Sequence, residues 1–112
     1  MKPIVKVYCL PAGLSENQLN DLFKDIVSAM ISVEELGVVD EDDVLVLFVP
    51  DMMAYGLGKE VLAEIDASLP FQEKTEEIKN RVATEIGKAI QERFPGAEVL
   101  VKVLSPMVMN RV

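Results

Sequence analysis

The chain has 112 residues, half of them hydrophobic and 27% charged, with 19 Asp and Glu against 11 Lys and Arg and a formal net charge of −8. This suits one globular domain spanning 1–112 around one core, and the negative balance argues against nucleic acid or an anionic membrane as partner. There is no histidine and one cysteine, Cys9, which excludes His-based triads, His metal clusters and an intrachain disulfide and leaves a zinc site only one thiolate plus carboxylates; neither metal nor cofactor is expected.

The opening residues Met1 to Lys6 lack the apolar core of a signal peptide. The longest apolar run, Val44 to Pro50, is too short to span a bilayer. The expected compartment is the cytoplasm.

Pro3 to Leu10 alternates Val5, Val7 and Cys9 with Ile4, Lys6, Tyr8 and Leu10, which predicts a first strand. Pro11-Ala12-Gly13 breaks it, and Ser15 followed three residues later by Gln18 reads as a capping box. The helix it opens carries Leu19, Leu22, Phe23, Ile26, Val27 and Met30 on one side, with Gly37 as its expected stop. Asp40 to Asp43 reads as a solvated turn, because it lacks the alternating ligands and glycine of a calcium loop.

Val44 to Val49 is apolar without alternation, which predicts a second strand covered on both faces, in the middle of a sheet. Residues 61–67 alternate again and predict a third strand with one partly wet face. Ile78, Val82, Ile86 and Ile90 define a second amphipathic helix ending before Phe94-Pro95-Gly96, and Val99, Val101 and Val103 mark a fourth strand. The fold class is α/β (α+β), strand-helix-strand twice, with segments 3–50 and 61–104 alike enough to suggest a pseudo-repeat. The same order of elements also fits a ferredoxin-like binding module.

Cys9 is expected to be a small core residue rather than a nucleophile, since no His can activate it. Gly56-Leu57-Gly58-Lys59 matches neither phosphate-loop spacing and reads as a turn. Met52, Met53, Met107 and Met109 read as core or subunit contacts.

The segment Val49-Pro50-Asp51-Met52-Met53-Ala54-Tyr55-Gly56 resembles the corresponding turn of macrophage migration inhibitory factor and its tautomerase relatives. Pro3-Ile4-Val5-Lys6-Val7 is similar to the first strand of the 4-oxalocrotonate tautomerase group, and Leu36-Gly37 falls where the family ends its first helix. Val103 to Asn110 is similar to the tail of carboxymethyl-hydroxymuconate isomerase. The resemblance implies two β-α-β units forming a four-stranded sheet with both helices on one face, and a homotrimer whose sheets line a central barrel. Subunit contact would then cover the second face of strand two.

The resemblance also implies a keto-enol isomerase of small keto or enol acids, whose base is an amino-terminal proline amine lowered in pKa by an apolar pocket. Pro3 is the matching residue. Here Met1 and Lys2 precede it, so its nitrogen is a tertiary amide that carries no basic lone pair. The family's arginines are replaced by Leu14 and Leu45, and the lysine of the inhibitory-factor relatives by Val38. Lys6 and Lys102 are the candidate partners of a small-molecule carboxylate, with Tyr55 as an aromatic wall. Three readings follow: an isomerase acting through an exposed Pro3 amine, a noncatalytic trimeric scaffold or small-ligand binder of the same fold, and an unrelated ferredoxin-like module.

Overall fold

A computed structural model gives the architecture and describes residues 2–51, 60–66 and 75–104. The order is β1 (Ile4–Leu10), α1 (Glu16–Ser32), β2 (Leu45–Pro50), β3 (Glu60–Asp66), α2 (Thr75–Arg93) and β4 (Glu98–Leu104). Two 3₁₀ turns, Glu34–Leu36 and Glu41–Asp43, lie between α1 and β2.

Local chemistry starts α1 as expected. The Ser15 hydroxyl accepts from the Gln18 N–H at 3.1 Å, and the Gln18 side chain accepts from the Ser15 N–H at 2.8 Å, so two orphan donors of the first turn are satisfied reciprocally. The helix stops earlier than the sequence suggests. Val33 leaves the helix with extended dihedrals, and Gly37, at φ 71°, closes the short turn that follows rather than α1 itself.

The sheet order is β2-β1-β3-β4. β1 runs parallel to β2 and antiparallel to β3, and β3 runs parallel to β4. A strand one parallel to its neighbour strand two excludes the ferredoxin-like alternative. β2 is an edge strand, not the central strand its continuous apolar run suggested. Val46 and Phe48 pack on the core, whereas Leu45, Leu47 and Val49 are 46%, 42% and 41% exposed on the other face.

Both helices cover one face of the sheet. Val5 and Val7 of β1 and Val61, Ala63 and Ile65 of β3 lie under Leu22, Ile26 and Met30 of α1 and Ile78, Val82, Ile86 and Ile90 of α2, all fully buried. The helices run antiparallel, and charge pairs bridge their exposed flanks. Arg93 donates from Nε to Asp25 at 2.6 Å, and Arg81 pairs with Glu35. Each carboxylate pushes its guanidinium pKa further up.

β1 departs from simple alternation near its end. Tyr8 pairs with Val49 and Leu10 with Pro50, leaving Cys9 as an extra residue. Cys9 adopts φ 68°, a left-handed conformation that costs a non-glycine residue on the order of 1 kcal/mol. The bulge turns Leu10 onto the core side, where it is 1% exposed, instead of leaving it beside Tyr8. Its carbonyl then accepts from the Asp51 N–H at 2.7 Å.

Candidate functional site

Pro3 immediately precedes β1. It has the same parity as Val5 and Val7 and is buried. Its carbonyl accepts from the Leu45 N–H at 3.0 Å, so it joins the first rung between β1 and β2. Proline suits this place because a strand's first residue need not donate to the ladder. With Lys2 joined to it, its nitrogen is an amide.

Lys6 and Lys102 emerge on the opposite, helix-free face of the sheet. Register places Lys6 beside Glu64, and Glu64 beside Lys102, in one row across three strands. Strands two apart are separated by roughly 10 Å, a span that two flexible lysine arms can close around one small anion. Neither ammonium has an ion-pair partner among the described residues. The Tyr8 hydroxyl donates to Glu64 Oε2 at 3.5 Å, at the outer limit of a hydrogen bond.

Leu47 extends this charged row on β2. On either side lie largely apolar rows, Leu45 and Ile4 running through Asp66 to Leu104, and Val49 and Tyr8 running to Leu62 and Leu100. Leu100 and Leu104 are 47% and 37% exposed. The open face is therefore apolar along β2 and much of β1, crossed by the Lys6–Glu64–Lys102 row and acidic at Asp66 and at the Glu60–Glu98 pair.

Thus Lys6 and Lys102 come together, while Pro3 lies on the other parity of β1. Tyr55, the Gly56–Lys59 turn and the methionines at 52, 53, 107 and 109 lie outside the described residues. Tyr8 and Glu64 escaped sequence reasoning. Only the cross-strand register shows that they share a face with the two lysines, and no local pattern encodes that register. Among the described residues no three His, Cys, Asp or Glu side chains converge as a metal site.

No protein-family model and no curated protein matches the chain. Solved structures do. Pt0534 inactivated by 2-oxo-3-pentynoate superposes with a TM-score of 0.68 at 20% identity, covering 91% of this chain and 84% of that one. A fused 4-OT wild-type asymmetric trimer gives 0.63 at 19% identity, with 96% and 91% covered. Macrophage migration inhibitory factor of Toxoplasma gondii gives 0.61 at 18% identity, with 92% and 89% covered. These neighbours belong to the tautomerase superfamily, and this chain has the tautomerase fold.

Proposed function

We propose that this chain is a small-carboxylate-binding protein of tautomerase fold, a cytoplasmic homotrimer in which Pro3 transfers no proton while Lys2 is joined to it. One observation carries the reading: Pro3 is built into the fold, with an acylated nitrogen, a buried ring and a carbonyl engaged by Leu45. An amide nitrogen cannot serve as a general base. Lys6 and Lys102 supply the charge for a carboxylate, and Tyr55 an aromatic wall. Assembly is supported by the exposed apolar rows of the open face and by the trimeric state of the fused 4-OT neighbour.

A second reading keeps the fold and restores the chemistry. Lys2 is exposed and precedes β1, so cleavage after it would free a secondary amine at Pro3 without removing a strand residue. Burial disfavours the ammonium form and lowers the amine's pKa towards neutrality. A keto-enol isomerase acting on small keto acids would result.

The full chain and a chain beginning at Pro3 separate the two, each assayed for phenylpyruvate enol-keto exchange and for phenylpyruvate binding by calorimetry. Binding by the full chain, lost in Lys6→Ala and Lys102→Ala and without turnover in either form, supports the binder. Turnover confined to the chain beginning at Pro3 supports the isomerase. Absence of both binding and turnover overturns both readings.

A further inference from the structure

Charge along this chain is divided unevenly. Between Lys24 and Lys59 there is no Lys or Arg, and the stretch holds eight Asp and Glu, so it accounts for the whole net charge of −8. Within it, Asp25 and Glu35 face α2 and pair with Arg93 and Arg81. Asp40 to Asp42 lie elsewhere, beside another flank of α1.

That flank carries Phe23, Val27 and Ile31, spaced four residues apart so that they form one stripe. With Val39 and Asp40–Asp42 opposite, the stripe lines an open groove of about 610 Å³. Val39 is 75% exposed, the highest value among the exposed large hydrophobic residues described, and Ile31 is 40% exposed. Val39 is also held firmly in place. Its N–H and that of Asp40 donate to Asp43 Oδ2 at 3.0 and 3.3 Å, and the Asp42 N–H donates to Asp40 Oδ1 at 2.9 Å. Turning Val39 inward would break this network, so the groove is already shaped to receive an apolar side chain.

We propose that the groove between α1 and residues 39–42 docks a segment of another protein carrying aliphatic side chains flanked by Lys or Arg. The aliphatic groups would lie against Phe23, Ile31 and Val39, and the cations against Asp40, Glu41 and Asp42. Charge complementarity selects this occupant. Anionic lipid and nucleic acid meet a repelling rim, and a second copy docking this face on its own would set Asp40–Asp42 against Asp40–Asp42. Lys24 of α1 is the one cation among the lining residues, against the three carboxylates at 40–42. The lining residues include neither Pro3 nor any residue of the open sheet face, so the proposal does not rest on the function proposed above.

The test titrates the ¹⁵N-labelled full chain with a short synthetic peptide alternating Lys and Leu, and with its counterpart alternating Lys and Ser. We expect the Lys-Leu peptide to bind, with amide shifts concentrated at Phe23, Ile31 and residues 39–42. Val39→Asp is the decisive variant. It adds a carboxylate, so it strengthens a purely electrostatic contact and weakens an apolar one. Under the proposal, affinity for the Lys-Leu peptide falls about tenfold, as truncation of a moderate interface anchor does. Since Val39 is solvent-exposed, urea unfolding of the variant should match the parent. Equal binding of the Lys-Ser peptide, shifts spread over the whole acidic surface, or undiminished binding by Val39→Asp overturns the proposal. Self-association of the chain that Val39→Asp abolishes does so too, by making a second copy the occupant.

Discussion

The Pro3 carbonyl accepts a hydrogen bond from the Leu45 N–H at 3.0 Å, and this contact sits at the mouth of the parallel β1-β2 ladder, whose first paired residues are Ile4 and Leu45. The bond uses the carbonyl of Pro3 and leaves its nitrogen out of the ladder. Removing Met1 and Lys2 should therefore spare every rung. We expect the chain beginning at Pro3 to unfold in urea within about 1 kcal/mol of the full chain, as surface changes usually do. A markedly larger loss would show that the first two residues hold the fold, and activity comparisons between the two forms would have to be reinterpreted.

The bulge at Cys9 makes a sharper stability prediction. At φ 68° a β-branched side chain is strongly disfavoured, whereas glycine has no Cβ to clash. Cys9→Val should cost about 1–2 kcal/mol, and Cys9→Gly should be neutral or stabilising by up to about 1 kcal/mol. Equilibrium unfolding under reducing conditions reads both. The reverse order of the two variants would mean that the Cys9 side chain matters more than its backbone.

The same bulge shows what the sequence could and could not convey. The helices were legible because each carries a continuous stripe, such as Ile78, Val82, Ile86 and Ile90, that only helical spacing brings together. The Ser15 cap was legible because it is local. β2 was read as central because Leu45, Leu47 and Val49 are as apolar as Val46 and Phe48. Composition reports that both faces are apolar, and it does not say which of them the chain itself covers. The Leu10 switch was invisible, since no residue type marks a left-handed cysteine. Of the site, Lys6 and Lys102 could be named as cations on strands, but their common neighbour Glu64 emerges only when β3 is set between β1 and β4.

Asp43 gives the turn before β2 a pH dependence. Its carboxylate accepts from the Val39 and Asp40 N–H groups. Those two bonds, the Val39 one foremost, hold its pKa below the ordinary aspartate value, with Lys2 adding a smaller pull in the same direction. A pKa lowered on folding contributes stability that is complete above the unfolded aspartate pKa and disappears as pH falls through the folded one. Asp43→Asn keeps an acceptor but loses the charge. The parent should exceed the variant in stability near neutral pH, and the gap should close on acidification through the aspartate range. Urea midpoints measured across pH check this, and a gap that widens in acid would refute it.

The open sheet face bears on assembly most directly. Leu47 on β2 and Leu100 on β4 lie at opposite edges of the sheet, 42% and 47% exposed. A charge placed at either position stays in water in an isolated chain and should change its stability by no more than about 0.5 kcal/mol. In a trimer that closes this face, the same charge leaves water and costs several times as much, and at position 47 the neighbouring Lys6 offsets only part of that desolvation. Leu47→Glu and Leu100→Glu should therefore lower the mass seen by light scattering from three chains towards one at concentrations where the parent is assembled. Unfolding adds a second readout. The parent's urea midpoint should rise with protein concentration, because association stabilises the folded state, and that rise should vanish in both variants. Persistence of a full-size oligomer in both would place the subunit contact elsewhere, and the exposed leucines would then need a different cover.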